Sequence, residues 1–150
     1  MTVARRILVV EDSDEDFETV LDAARGRGVV NPIFRATSGD ECLQLLREAL
    51  QQPKSANAVP ALVLLDLNTP RGDGRDALRD IKEDDQLRAI PLVVLSTSDN
   101  PRDLAFCYAN GANAYHIKPI VHAAHLLVLE KIFAYWLNET VLPKLTICAS

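Results

Sequence analysis

The sequence predicts an α/β domain: a doubly wound, five-stranded parallel sheet with helices on both faces. Three observations predict it. Short apolar runs alternate with longer stretches of helical periodicity five times along the 150 residues, which is the pattern of repeated βα units. Apolar residues make up 48% of the chain, enough to build a core. Three of the expected strands also end abruptly in charge: residues 7–10 run into Glu11-Asp12, 63–65 into Asp66, and 115–117 into Lys118. Charged groups at the carboxyl ends of buried strands face the crevice where open α/β sheets bind their ligands.

The elements follow in order. Residues 7–10 read as the first strand and 14–25 as the first helix, with Phe17, Val20, Leu21 and Ala24 at helical spacing. Ser13 suits its N-cap. Asp14, Glu15, Asp16 and Glu18 read as acids serving the positive end of that helix. A weaker second strand spans 32–37. Ser38 and Glu41 then form a capping-box pattern that opens a helix over 39–52, with Cys42, Leu45, Leu46 and Ala49 on its apolar face. A polar loop from Gln51 to Pro60 leads to the third strand, 61–66. The next loop, Asn68 to Gly74, holds Pro70, Gly72 and Gly74, so it turns tightly or lies close to a ligand. A helix over 74–84 and a strand over 92–96 follow. Asn100 caps a fourth helix with Pro101 at its first position, and Gly111 closes it. The fifth strand is 114–117 and the fifth helix 121–138.

Composition excludes several classes of function. A net charge of −5 gives none of the basic footprint that nucleic-acid binding requires. The three cysteines, Cys42, Cys107 and Cys148, are far apart and odd in number, which fits a reducing compartment rather than a disulfide scaffold or a zinc site. His116, His122 and His125 lack ligand spacing as well. No signal peptide or membrane span is expected, and the chain reads as soluble and cytoplasmic.

The strand-end residues carry the chemistry. Glu11, Asp12 and Asp66 repel one another if the first and third strands are neighbours, and a hard divalent cation removes that conflict. Lys118, set opposite the acids, is able to pair with Asp66 at rest and with a phosphoryl oxygen afterwards. Ser96, at the end of the fourth strand, offers a hydroxyl to the same group.

These residues together resemble the receiver domain of two-component response regulators. The resemblance spans about residues 5–138. It rests on the acidic pair Glu11-Asp12, Asp66 within Leu-Leu-Asp-Leu-Asn-Thr-Pro, Asp73-Gly74, Ser96, and Lys118-Pro119. It implies a flavodoxin-like sheet in the order 2-1-3-4-5. It also implies residue roles. Asp66 is the phosphoacceptor. Asp12, Asp66 and the Asn68 carbonyl hold Mg²⁺ or Mn²⁺, and Glu11 acts through a metal-bound water. Lys118 and Ser96 contact the phosphoryl group, and Thr97 flanks it. Ser96 and Tyr115 take the two switch positions. The chain departs from the family pattern in having Glu11 for the first Asp and Ser96 for the more frequent Thr.

Residues 1–138 thus read as the receiver and 139–150 as an apolar tail. The tail is too short for an output module, so the output is expected to be a protein contact. Leu129, Ile132, Phe133 and Trp136 give the fifth helix its core stripe. Leu127, Val128 and Tyr135 add apolar area, which Val141, Leu142, Leu145 and Ile147 continue. Such a surplus marks an interface, of which a homodimer is the simplest case. Leu127, Val128, Tyr135, Trp136, Val141 and Leu142 are its candidate residues. The run 133–138 with Thr140-Val141-Leu142-Pro143, and the segment from Leu65 to Arg75, are similar to the small regulators paired with cyanobacterial phytochrome kinases. That similarity implies a phytochrome-type sensor histidine kinase as partner and a homodimer.

Three other readings compete. A phosphatase of the haloacid-dehalogenase type needs an acid two residues after its nucleophile, where this chain has Asn68. A flavin carrier needs a Ser/Thr/Gly-rich loop after the first strand, where this chain has Glu11-Asp12-Ser13-Asp14-Glu15-Asp16. A receiver-like scaffold that takes no phosphate would not need the intact acid, lysine and hydroxyl set.

Overall fold

The computed structural model describes residues 4–52, 59–69 and 74–143. Pro53, Ser55, Asn57, Pro70, Gly72, Asp73, Leu145, Ile147 and Cys148 lie outside the described residues. The element order is β1 (Ile7–Val10), α1 (Asp14–Gly26), β2 (Ile33–Ala36), α2 (Gly39–Leu50), β3 (Leu62–Asp66), α3 (Gly74–Glu83), β4 (Leu92–Ser96), α4 (Pro101–Ala109), β5 (Ala114–Ile117) and α5 (His122–Phe133). All strand pairs are parallel and the order is β2-β1-β3-β4-β5. The fold class expected from the sequence is therefore the one found.

Alternating strand residues feed two cores, because successive side chains point to opposite faces. Leu8, Val10, Val63, Leu65, Leu92 and Val94 pack with α2, α3 and Cys107 of α4. Ile7, Val9, Leu62, Leu64, Val93 and Leu95 pack with α1 and α5. Burial on both faces explains why β1, β3 and β4 are continuous apolar runs rather than alternating ones.

The helix starts follow the side chains that cap them. Ser13 Oγ accepts from the Asp16 amide, Ser38 Oγ from Glu41, and Asn100 Oδ1 from Arg102. The box at α2 differs from expectation in one respect: the Glu41 carboxylate accepts from the Thr37 hydroxyl, one residue before the cap. Gly111 follows α4 with φ +96, a conformation only glycine adopts without strain. The fifth helix also differs. Regular α-helix stops at Phe133, and a π-helical turn, Ala134–Glu139, completes the expected length.

Candidate functional site

Register places the site. Val10 stands beside Leu65, so the next residues, Glu11 and Asp66, emerge together at the carboxyl edge of the sheet. On the other side of β3, Asp66 pairs with Leu95 and Ser96 with Ile117. Lys118 follows directly, its amide donating to the Ser96 carbonyl at 2.7 Å. Parallel strands of matched length thus deliver two acids, a hydroxyl and a lysine to one edge.

The Lys118 ammonium is the hub. Nζ lies 2.8 Å from Glu11 Oε1, 2.8 Å from Asp66 Oδ2 and 2.5 Å from Asp16 Oδ2. All three of its protons are therefore engaged. Glu11 and Asp66 are each 3% exposed and Lys118 is 8% exposed. The second oxygen of Asp66 accepts the Asn68 amide at 2.8 Å, and that of Glu11 accepts the Ser13 amide at 3.2 Å. Burial, with some help from the neighbouring charge of Asp66, pushes the Glu11 carboxyl up to about 7, against the pull of Lys118. Burial works to lower the Lys118 pKa as well. Its hydrogen bonds with Asp16, Asp66 and Glu11 outweigh that and hold it above the usual lysine value.

Carboxylate oxygens of Glu11, Asp12 and Asp66 lie within 4.8 Å of one another. They open onto a cleft of about 320 Å³ that Asn68, Thr97 and Ile120 also line. Three converging carboxylates with shared access to solvent suit a hard cation, which takes carboxylate and carbonyl oxygens and keeps several waters. One ammonium, Lys118, is shared among the carboxylates of Glu11, Asp16 and Asp66, so the cluster is short of positive charge. The donor set therefore fits a divalent ion at this edge.

A family comparison decides what this edge belongs to. The model of the response regulator receiver domain matches residues 7–129. The chain belongs to that family. The receiver is 37% identical over 132 residues to the probable methanogenesis regulatory protein FilR2 of Methanothrix harundinacea, covering 88% of this chain and 83% of that one. It is 32% identical over 137 residues to the response regulator Rcp1 of Synechocystis sp., covering 91% and 92%. Among solved structures, the phosphorylated cyanobacterial phytochrome response regulator RcpA superposes with a TM-score of 0.83 at 35% identity, covering 93% of this receiver and 99% of RcpA. The Mn²⁺-bound form of Rcp1 gives 0.82 at 33% identity, covering 93% and 99%. The chain is thus a receiver-domain response regulator of two-component signalling, with the response regulator Rcp1 and the cyanobacterial phytochrome response regulator RcpA among its relatives.

Ser96 is buried beside the site and its Oγ accepts the Ser98 amide at 3.1 Å. Thr97 and Asn68 sit on the exposed rim, joined by a 2.9 Å bond from Asn68 Nδ2 to Thr97 Oγ1. Tyr115 is half-buried, and its hydroxyl donates to the Ser98 carbonyl at 2.7 Å. Of the apolar candidates, Leu127, Tyr135 and Val141 are 51%, 50% and 95% exposed. Val128 and Trp136 are partly buried against the α1/α5 core, and Trp136 meets the Tyr135 ring edge-on at 5.0 Å. Leu142 is partly buried, and Arg5 donates to the Pro143 carbonyl, tying the chain back to its own N-terminal edge.

Sequence reasoning missed Asp16, whose carboxylate reaches Lys118. A signal existed. Asp16 shares a helical face with the buried Thr19, Val20 and Ala23 at spacings of three, four and seven. Asp14, Glu15 and Glu18 are exposed, whereas Asp16 is partly covered. No helix among the described residues is long and apolar enough to cross a membrane.

Proposed function

We propose that this receiver accepts a phosphoryl group on Asp66 from the phosphohistidine of a sensor histidine kinase. The observation that carries the reading is the convergence of Asp66 and Lys118, 2.8 Å apart, with Glu11 and Asp12 at one open edge. A carboxylate oxygen of Asp66 attacks phosphorus in line. The new P–O bond forms as the P–N bond to the imidazole breaks. The leaving nitrogen keeps the electron pair, so no general base is required. Transfer of this kind depends on positioning and electrostatics.

Lys118 stays with the phosphoryl oxygens through the transfer, since its ammonium already contacts Asp66 Oδ2. Asp12, Asp66 and the backbone carbonyl of Asn68 would hold Mg²⁺ or Mn²⁺, with Glu11 acting through a water. When bound, the ion neutralises charge on the phosphoryl oxygens. Ser96 and Thr97 would contact the phosphoryl group, and Ser96 with Tyr115 would carry the change to the surface around α4 and β5. The acyl phosphate later hydrolyses in place, so the protein turns over its own modification and no separate substrate.

The kinase is of the phytochrome type on this reading. Support comes from the likeness to RcpA and Rcp1 over nearly their whole length. The receiver would occupy residues 1–138. The tail, 139–150, would join Leu127, Val128, Tyr135 and Trp136 in a homodimer or partner interface in the cytoplasm. The test is direct. A phosphorylated phytochrome-type kinase is mixed with the receiver and Mg²⁺. Radiolabel is expected to move from kinase to receiver, and not to Asp66→Asn. Transfer to Asp66→Asn at the wild-type rate refutes the assignment.

A further inference from the structure

Ser98, in the loop between β4 and α4, has every polar atom engaged. Its amide donates to Ser96 Oγ at 3.1 Å. Its carbonyl accepts from the Tyr115 hydroxyl at 2.7 Å. Its own hydroxyl accepts from the Asn100 amide at 3.1 Å and donates to Asp103 Oδ2 at 2.6 Å. The other oxygen of Asp103 is paired with Arg75 at the start of α3. Ser98 and then Arg75 hold the Asp103 carboxyl below the usual carboxylate range, so it is ionised and accepts both bonds at neutral pH. A continuous chain therefore runs from Arg75 on α3, through Asp103 on α4 and Ser98 in the loop, to the buried Ser96 hydroxyl.

The chain has a direction. Ser96 Oγ is turned toward the loop, where it accepts from Ser98. Re-aiming that hydroxyl at an oxygen on Asp66 breaks the Ser98 bond unless the loop moves with it. The loop is free to move only if Ser98 leaves Asp103, and Asp103 is anchored from a different helix by Arg75.

We propose that Asp103, anchored by Arg75, is a positioning residue for Ser96: it holds Ser98, and through it the Ser96 hydroxyl, in the resting arrangement. This rests on the phosphoacceptor reading of Asp66 and deepens it. Neither Asp103 nor Arg75 touches the phosphoryl group, and each acts through Ser98. Releasing the latch removes a contact present on only one side of the switching equilibrium. A partly exposed hydrogen bond lost in that way shifts the balance about fivefold toward the switched form.

The test measures the rate of Asp66 phosphorylation by acetyl phosphate with Mg²⁺, at subsaturating donor, by intact-protein mass spectrometry. Asp103→Ala and Arg75→Gln are compared with wild type. Each is then placed in a Ser96→Ala background. Thermal melts confirm folding, and Arg75→Gln serves if Asp103→Ala is unstable. The amide resonance of Ser98, recorded by NMR without donor, reports the loop itself. The expected result is a rate about fivefold higher in either variant, a shifted Ser98 amide, and no increase when Ser96 is absent. A merely structural role would not depend on Ser96. Unchanged rates in both variants, with phosphate still on Asp66, overturn the latch alone. An increase that survives Ser96→Ala also overturns it. A wild-type protein that takes no phosphate overturns the Asp66 reading, and the latch with it.

Discussion

Replacing Lys118 with methionine removes the cation that Glu11, Asp16 and Asp66 share while preserving most of the side-chain volume. Glu11 and Asp66 are each 3% exposed, so both carboxylates stay largely desolvated without the ammonium. Taking one partner from a buried ion pair costs about 3–5 kcal/mol, because the opposite charge stays buried and uncompensated. Against a domain stability of about 5–15 kcal/mol that is a large loss. The cost depends on pH. Glu11 titrates in the fold near 7, raised by burial and held down in part by Lys118, while the unfolded carboxyl titrates near 4.5. Removing Lys118 moves the folded value up further. A raised carboxyl binds more protons folded than unfolded, so stability falls as pH rises from about 4.5 through the folded value. Urea unfolding without divalent ions is expected to show a deficit at pH 5.5 that is larger at pH 8. Mg²⁺ at pH 8 is expected to recover part of it by mass action. A variant as stable as wild type at pH 8 without Mg²⁺ would refute the charge balance described for this site.

Three further outcomes are expected. Asp12→Ala should weaken Mg²⁺ binding at least about tenfold by calorimetry, in line with the loss of a ligand contact, while unfolding in the absence of the ion stays close to wild type because Asp12 is exposed. Gly111→Ala should cost about 1–2 kcal/mol in urea unfolding. Its Cβ would sit 2.9 Å from Lys82 Cγ at φ +96, and Lys82 is pinned by bonds to Arg88, Ile90 and Asn113. Leu127→Glu with Tyr135→Glu should shift the sedimenting species toward monomer. Both side chains are about half exposed and are not packed in the core. An unaltered dimer would move the interface elsewhere.

Much of the fold was legible because local and global signals agree. Ser13, Ser38 and Asn100 cap the helices that their positions suggest, and the runs at 7–10, 92–96 and 114–117 are strands at those bounds. The site was legible through strand ends, since an apolar run that stops at a charge fixes both the depth and the edge of that charge. What escaped was set by tertiary phase. Asp16 looked like one more acid in a first turn, and the packing of α1 on α5 decides that it faces Lys118. Ser98, Asp103 and Arg75 lie on a loop and two helices, and no spacing in the chain links them. The end of α5 reads as helical by periodicity, but periodicity does not distinguish an α-helical from a π-helical turn.

The central claim is that Asp66 is the acceptor. Incubation with Mg²⁺ and acetyl phosphate, followed by intact-protein mass spectrometry, tests it most directly. One added, acid-labile phosphate is expected on the wild-type chain and none on Asp66→Asn. No added mass on the wild type, or the same added mass on Asp66→Asn, would contradict it.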